Sequence, residues 1–397
     1  MKRFIVHSAA IGFLSALLLA SCQREPTAPL ESSGAAVPAA VASIEGKGKI
    51  APVTVFATGF NNPRGLKFGP DGYLYVAEGG LGGPISTRGQ CDSVVAPIGP
   101  YTGGLSGRIS KVSKNGTRST VVDGLPSSQT SPGSGSLVSG VADVEFIGST
   151  LYAIFAGGGC SHGVNGTPNA VIRVNHKGSW SIVADLSQYQ HSHPVANPDP
   201  EDFEPDGTWY SMVRVEDAFF AVEPNHQEID RISPRDGVIH RLVDFSAYGG
   251  TTWLGPTAMV YRSGSFYVGN LAPFPIVDGI ASVYRVSRYG RIDVWATGFS
   301  TILGLAFDGE GRLYVLENTT GNPFPTPGTG KIIRVDLSGK RDTVATGLFL
   351  PTAMTMGPDG ALYVSNKGFG PPIPGFGEIL RVDVGSRGDR FVHRDDE

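Results

Sequence analysis

The stretch GPDGYLYVAE, residues 69–78, returns near the other end of the chain as GPDGALYVSN, residues 357–366. Each copy joins a Pro-Asp-Gly turn to a short apolar run centred on a tyrosine, which is typical of a turn leading into a β-strand. Four related segments lie between these copies, at residues 147–155, 215–223, 262–270 and 308–317. The six segments predict one structural unit that is repeated six times.

Each unit contains four predicted strands. A strand-like segment such as RGLKF precedes the aromatic run, and two more follow it, as in GRISKV and TRSTVV. The chain has 55 glycines, 29 prolines and only 17% charged residues, which favours many short strands over helices. The sequence therefore predicts an all-β fold, a six-bladed β-propeller of four-stranded blades.

The ring is expected to close through the N-terminal strand. The sixth unit lacks its fourth strand, because the chain turns into a charged tail after GEILRVDV. VTVFATG, residues 53–59, matches the fourth-strand segments RIDVWATG and RDTVATG. We therefore expect this segment to complete the last blade and to leave no sheet edge exposed.

The connections within each unit fall into two sets. The turns between strands one and two, and between strands three and four, are short, whereas the other connections are long. The long ones are residues 79–106, 123–139, 156–169, 185–207, 245–256, 270–281, 317–329 and 366–376. In an up-and-down blade the two sets lie on opposite faces, so the elaborated side is named the long-loop face. Binding residues concentrate on such loops.

The ends of the chain predict export. MKRFIVHSAAIGFLSALLLASC has a basic start and an apolar run too short to span a membrane, so residues 1–21 are interpreted as a lipoprotein signal peptide with Cys22 as the lipid-bearing residue. An ordinary cleaved signal is the alternative. Residues 22–51 are interpreted as a flexible tether, 52–384 as the propeller and 385–397 as a disordered tail. Gln23 after Cys22 favours the outer membrane of a bacterial cell envelope.

Charge bears on the possible binding partners, and cysteine content bears on disulfide pairing. Without Lys2 and Arg3, 30 of the 32 basic residues remain against 36 acidic ones, and there is no basic stripe, so nucleic acid is an unlikely partner. Cys91 and Cys160 lie in equivalent long loops of neighbouring blades. In an oxidising compartment a disulfide is favoured over a metal site for this pair.

Two columns of the repeat contain candidate site residues. At the end of each second strand, three residues beyond the aromatic, stand Glu78, Phe155, Glu223, Asn270, Glu317 and Asn366. Acids and amides there either hold the next loop by bonding its backbone or form a ring of oxygen ligands of the kind that Ca²⁺ takes. The second column lies on the innermost strands, as Gly65, Asp143, Ser211, Ala258, Gly304 and Ala353. Asp143 is its one carboxylate, so it is a candidate catalytic or metal-binding residue that needs a partner.

The long-loop face supplies further candidates. His162, Asn225, His226, Glu317 and Asn318 are predicted to lie on it, although their spacings match no zinc signature, and the chain has no GxSxG elbow, P-loop or dinucleotide fingerprint. The stretch PVANPDPEDFEPDGTWY, residues 194–210, is rich in carboxylates, but its X-Pro steps spread them apart. Asp206, in a Pro-Asp-Gly turn, is the member expected nearest to the channel mouth.

Several motifs together resemble the ScyD/ScyE family of exported propeller proteins. They include VFATGFNNPRGLKFGPDGYLYVAEGG, FAGGGCSHG, NPDPEDFEPDGTWYSMV, AVEPNH, PTAMVY and ENTTGNPFPTPGTGKIIRVD, and the resemblance extends over residues 52–384. The fold is also similar to that of NHL-repeat and gluconolactonase/SMP-30 propellers, in which a divalent ion sits at the channel mouth. That resemblance implies Ca²⁺ as a cofactor, and Asp206 in its Pro-Asp-Gly turn resembles the ligand pattern of the gluconolactonase group.

Two functions are open from the sequence. One is a lipid-anchored, monomeric binding or scaffolding module that presents its long-loop face to a small molecule, a polysaccharide or a protein and meets the membrane only through Cys22. The other is a Ca²⁺-dependent hydrolase of lactonase type that uses Glu78, Asp143, Asp206, Glu223, Asn270 and Asn366. A quinoprotein dehydrogenase is disfavoured, because no cluster of His, Arg and Lys is evident. Binding is preferred, since fold does not fix function.

Overall fold

The structure of the protein, a computed structural model, describes residues 45–46, 50–198, 204–249 and 252–385. Strands β1 (Glu45–Gly46) and β2 (Val53–Phe60) come first. Blade 1 contains β3 (Pro63–Phe68), β4 (Leu74–Glu78), β5 (Thr102–Val112), β6 (Arg118–Gln129) and β7 (Val138–Ser139). Blade 2 contains β8 (Val141–Ile147), β9 (Thr150–Phe155), β10 (Ala170–Val174) and β11 (Trp180–Asp185).

The remaining blades follow the same order. Blade 3 contains β12 (Ser211–Val215), β13 (Ala218–Glu223), β14 (Glu228–Ile232) and β15 (Ile239–Asp244). Blade 4 contains β16 (Pro256–Arg262), β17 (Ser265–Asn270), β18 (Ala281–Ser287) and β19 (Ile292–Phe299). Blade 5 contains β20 (Ile302–Phe307), β21 (Leu313–Glu317), β22 (Gly330–Val335) and β23 (Arg341–Leu348). Blade 6 contains β24 (Ala353–Met356), β25 (Leu362–Asn366) and β26 (Gly377–Val382).

Two short α-helices lie in the connections between blades. They are α1 (Leu186–Ser192), between blades 2 and 3, and α2 (Phe245–Gly249), between blades 3 and 4. Asp185 caps α1, because its side chain accepts a hydrogen bond from the Gln188 backbone N–H. Short 3₁₀ turns occupy Pro132–Ser134, Cys160–His162 and His176–Gly178.

The predicted all-β six-bladed propeller is confirmed. Within each blade, successive strands pair antiparallel, and the first strands of successive blades contact one another in a closed ring. The predicted ring closure is also present, because β2 pairs antiparallel with β26 from Val53↔Val382 to Phe60↔Gly377. The last blade is therefore built from both ends of the propeller.

The hydrophobic core is divided into six parts, one between each pair of neighbouring blades. Second strands such as β4 and β13 are buried along their whole length, since they pack on a blade at both faces. Between blades 2 and 3, Trp209 and Phe219 are completely buried. Burial of side chains of this size stabilises the fold by roughly 1.5–3 kcal/mol each.

Residues just before β2 also join the sheets. Glu45–Gly46 pairs parallel with the outer strand β23, and the Ala51 N–H donates to the Val344 carbonyl at 2.8 Å. Part of the stretch that was predicted as a tether therefore covers an edge of blade 5. Unpaired backbone groups at that edge would otherwise remain open to other chains.

Other predictions fall outside the described residues. These are the signal peptide, the lipidation of Cys22, nearly all of the tail, and the carboxylates Asp199, Glu201 and Asp202. Among the residues that the structure does describe, no helix is long and apolar enough to cross a membrane.

Candidate functional site

The predicted column at the ends of the second strands holds loops in place. Glu78 accepts the Asn61 N–H at 2.6 Å, Glu223 accepts the Thr208 N–H at 2.7 Å, and Glu317 accepts the Ser300 N–H at 2.7 Å. Because each acceptor bonds the segment that leads into its own blade, the column is used to fasten consecutive blades together.

The amides of the column act in the same way. Asn366 accepts the Phe349 N–H at 2.9 Å, whereas Asn270 accepts the Ser282 N–H at 2.6 Å and donates to the Leu254 carbonyl. Two of the acids also pair with cations: Glu78 lies 2.8 Å from Arg108 Nη2, and Glu317 lies 3.1 Å from Lys331 Nζ. The acceptor capacity of these side chains is therefore largely used within the protein.

Asp143 lies among the innermost strands of blades 1, 2 and 3. Its Oδ2 accepts the Met212 N–H of β12 at 2.9 Å, and its Oδ1 accepts the Val144 N–H at 2.8 Å. A Cβ on Gly65 of β3 would come within 1.9 Å of Oδ1, so only glycine fits there. Burial raises the pKa of Asp143 to about 7, although the two backbone hydrogen bonds favour the ionised form. The carboxylate bridges blades 2 and 3.

Comparable side-chain bonds cross the other five blade junctions. In order from the junction of blades 1 and 2, these bonds run from Lys67 to Glu145 Oε2, Ser211 to Thr257 O, Thr257 to Ile302 O, Asn318 to Pro351 O and Thr352 to Pro63 O. Tyr210 reaches further, since its hydroxyl donates to Thr352 O and so joins blade 3 to blade 6. Blades 3 and 6 stand opposite each other, so Tyr210 crosses the channel.

Four of the six predicted metal ligands already accept backbone hydrogen bonds. Ca²⁺ takes six to eight oxygen ligands, but Glu78, Glu223, Asn270 and Asn366 use oxygens to accept backbone N–H groups. In the described ranges, no group of three or more His, Cys, Asp or Glu side chains is arranged to hold a metal ion. We therefore derive no reaction step through a metal.

Asp206, His162, His226 and Asn225 instead lie on the long-loop face of blades 1 to 3. A disulfide joins Cys91 in the loop of blade 1 to Cys160 in the loop of blade 2, as the sequence predicted. Beside it is a cavity of about 380 Å³. Its lining residues are Cys91, Asp92, Cys160, Gln190, His191, Pro194, Val195, Pro198, Pro205, Asp206 and His226.

Asp206 is fixed at the wall of this cavity. Its Oδ2 accepts both the backbone N–H and the hydroxyl of Ser161, each at 2.7 Å, while its Oδ1 lies 3.6 Å from His191 Nε2. The neighbouring Gly159 has a φ of +98°, and a Cβ there would come within 2.3 Å of the Asp206 carboxyl carbon. The glycine-rich stretch FAGGGCSHG therefore permits a close approach that positions this carboxylate.

His162 is completely buried behind Asp206. Its Nε2 lies 3.1 Å from the Gly207 carbonyl, so Nε2 is the protonated nitrogen, and Nδ1 then accepts from the Ser128 hydroxyl at 2.9 Å. Burial lowers the pKa of His162, against the effect of Asp206. This histidine is a neutral connection between blade 1 and the strand leading into blade 3.

His226 connects the cavity wall to a buried acidic group. Its backbone N–H and its Nδ1 both face Glu223 Oε2, the latter at 3.3 Å. Burial opposes protonation of His226, but Glu223 and Glu228 outweigh it and raise the pKa of this imidazole. Asn225 precedes it in the turn between β13 and β14 and is itself largely buried.

Sequence reasoning missed the polar cluster behind His226. Glu228 and Asp230 of β14 are completely buried, and Arg241 of β15 donates to Glu228. One signal was present in the sequence: Asp230 breaks a third-strand column that is apolar in four other blades, as Ile172, Tyr284, Ile333 and Leu380. Charged residues are rarely fully buried, so a charged residue at a position that is apolar in the other blades indicates a role other than core packing.

Glu317 and Asn318 lie elsewhere. Both are at the end of β21 in blade 5, where they bond Ser300 and Pro351. The binding-face prediction therefore divides into two groups, of which only the one on blades 1 to 3 borders the large cavity.

Comparisons with known proteins show the fold. No protein-family model matches the chain, and no curated protein matches it. A solved structure of a protein of unknown function from Bacteroides thetaiotaomicron is 11% identical, with a TM-score of 0.53, covering 83% of this chain and 75% of that one. A protein named as an oxidoreductase (glucose dehydrogenase) from Thermus thermophilus is 17% identical, with a TM-score of 0.51, covering 84% and 99%.

A gluconolactonase from Xanthomonas campestris is 10% identical, with a TM-score of 0.48, and the match covers 84% of this chain and 90% of that one. At such low identity the likeness shows a shared fold and no shared activity.

Proposed function

We propose that the protein is a binding module that holds a small molecule on the long-loop face of blades 1 to 3. The cavity of about 380 Å³ beside the Cys91–Cys160 disulfide carries this proposal. Its volume is in the range of small-molecule sites, roughly 300–1,000 Å³. Its wall combines apolar groups, such as Val195 and the prolines, with a few polar ones, among them His191, Asp206 and His226.

Location and family belong to the same proposal. A disulfide is typical of proteins that work outside the cytoplasm, and this supports export with a lipid anchor on Cys22 at the outer membrane. Membership of the ScyD/ScyE family rests on the motifs quoted above. A tethered propeller would present its ligand site to the envelope space.

The lactonase-type hydrolase is the weaker candidate. The similar solved structures include a gluconolactonase, but that likeness concerns the fold. The residues proposed as ion ligands fasten loops and blades, and Asp143 bridges β8 to β12. The metal content of the purified protein, and its melting temperature with Ca²⁺ and with EDTA, test this point. We expect a metal-free protein whose melting temperature changes with neither Ca²⁺ nor EDTA. Retained Ca²⁺ together with a clear rise in melting temperature would instead favour the hydrolase.

The binding proposal can be tested with fluorine NMR. The chain has four tryptophans, and 5-fluorotryptophan labelling gives one resonance for each. Trp209 packs between blades 2 and 3 beside the acidic cluster, whereas Trp295 packs between blades 4 and 5. In a survey of neutral, anionic and cationic fragments, we expect ligands that shift the Trp209 resonance and leave Trp295 unchanged.

The matched control fills the cavity. Val195 lines it, and Val195→Phe places a larger side chain in the same space. If Val195→Phe melts like the wild type but the fragments no longer shift the Trp209 resonance, the proposal is supported. Fragments that bind equally well to this variant, or that shift only Trp295, would show that the cavity is not the site.

A further inference from the structure

The cavity is backed by more buried carboxylates than cations. Glu223, Glu228 and Asp230 are all completely buried. Burial raises the pKa of Glu228 to about 7 and that of Asp230 well above its usual range, and the nearby Glu223 carboxylate adds to both effects. Arg241 and His226 are the cations beside them. The cluster therefore has too little positive charge for its carboxylates.

Several atoms of this region also lack hydrogen-bond partners. Gln190 on α1 is 4% exposed, yet within the described ranges neither its Oε1 nor its Nε2 has a partner. The same is true of both carboxyl oxygens of Asp230, which the Trp209 indole N–H approaches without completing a hydrogen bond. More than 90% of buried polar groups in proteins are paired. An unpartnered amide at a cavity wall therefore indicates a group that a ligand satisfies.

The accessible wall contains two carboxylates beside the imidazoles of His191 and His226. Asp206 and Asp92 line the cavity. Asp206 Oδ2 is used by Ser161, but the nearest cationic group to Oδ1 is His191, at 3.6 Å. This oxygen and the buried Gln190 Oε1 are acceptors on two residues that line one cavity. A ligand group that donates several hydrogen bonds and carries positive charge complements them, since hydrogen bonds to charged groups are the strong ones.

We propose that the ligand of this cavity is a small organic cation whose amino group binds Asp206 and Gln190. The inference rests on the proposed function and names its ligand class. The ammonium group donates to Asp206 Oδ1 and to Gln190 Oε1. Val195 and the prolines contact the hydrocarbon part of the ligand.

Three probes of equal length separate charge from size: 1,4-diaminobutane, 1,4-butanediol and succinate. Binding to the full chain is measured by calorimetry and by the fluorine resonance of Trp209. We expect the diamine to bind at least tenfold more tightly than the diol or succinate. If the diol or succinate binds as tightly, or if the diamine does not shift Trp209, the inference is overturned. The wider fragment survey then decides separately whether the cavity binds any ligand.

Two variants test the named contacts. Gln190→Leu removes the amide without breaking any hydrogen bond of the described structure, so its melting temperature should not fall, while diamine affinity should fall at least tenfold. Asp206→Asn keeps an acceptor for Ser161 and removes the charge, with the same expected loss. Asp123→Asn removes a charge from the exposed face of β6 and is the control, with a change below twofold. Unchanged affinity in Gln190→Leu would refute the assignment, even if Asp206→Asn failed to fold.

Discussion

Asp143 shows how a single carboxylate can be essential to the architecture while it has the properties of a catalytic group. It is buried among three innermost strands, its pKa is raised to about 7, and it accepts two backbone N–H groups. Perturbed carboxylates are often functional, but structural networks perturb pKa values as well. Here the contacts with β3 and β12 account for the residue.

The raised pKa predicts a pH dependence. An acid whose pKa is about 7 in the folded state and 3.8 when unfolded binds an extra proton on folding between these values, so its contribution to stability is lost as the pH rises from about 4 to 7. Asp143→Asn removes that contribution and should flatten the decline by at most about 1.4 kcal/mol per pH unit. Urea unfolding at pH 4.5 and pH 7 measures it. If the free energy of unfolding falls equally between these pH values in the wild type and in Asp143→Asn, the titration of Asp143 is contradicted.

Gly65 is the counterpart of Asp143 on the neighbouring strand. Alanine at this position would place Cβ 1.9 Å from Asp143 Oδ1 and 2.8 Å from its Cα, so either the side chain or the backbone must shift. Overpacking of this kind typically costs about 1–3 kcal/mol. Gly370→Ala is the control, because an added Cβ there meets nothing within 4 Å. Equal free energies of unfolding for the two variants would show that the Asp143 contact is not tight.

At the level of strands and loops, the sequence predicts those features that occur in every repeat unit. The turn, the aromatic run and the fourth-strand match of residues 53–59 recur in the sequence, so the six blades and their closure follow from it. The cavity does not recur: Gln190 and Asp206 come from the connection between blades 2 and 3, His226 comes from the turn between β13 and β14, and only folding brings them together. The sequence shows Asp230 as a break in a column, yet Trp209, whose indole N–H approaches it, belongs to the connection between blades 2 and 3.

The loop pair joined by the disulfide provides a prediction at this level. Cys91 and Cys160 are 69 residues apart, and removing such a bridge by Cys91→Ser with Cys160→Ser should cost about 2–4 kcal/mol. Both cysteines line the cavity, so fragment binding should weaken as well. Limited proteolysis should become faster within residues 79–101. Reduced wild-type protein serves as the control and should match the variant; unchanged proteolysis in both would mean that other contacts hold the loop.

At the scale of the whole propeller, closure by β2 determines whether the ring has an open edge. β2 covers β26, and its Phe60 is completely buried in the core between blades 6 and 1 with Leu66, Val76 and Tyr363. Without β2 the edge of β26 would present unpaired N–H and C=O groups beside exposed apolar side chains. Such edges pair with other chains, so closure protects the molecule from association as well as stabilising it.

Two truncated chains test this closure. A chain that begins at residue 50 keeps β2 and should remain monomeric with cooperative unfolding, whereas one that begins at residue 61 should melt at a lower temperature and aggregate. Loss of Phe60 alone typically costs about 3–5 kcal/mol, and the lost ladder with β26 adds to it. A synthetic peptide of residues 50–60, added in excess, should restore the monomer, because it supplies the missing strand. Size-exclusion chromatography and thermal unfolding report both effects, and a monomeric, equally stable chain from residue 61 would show that blade 6 holds with three strands.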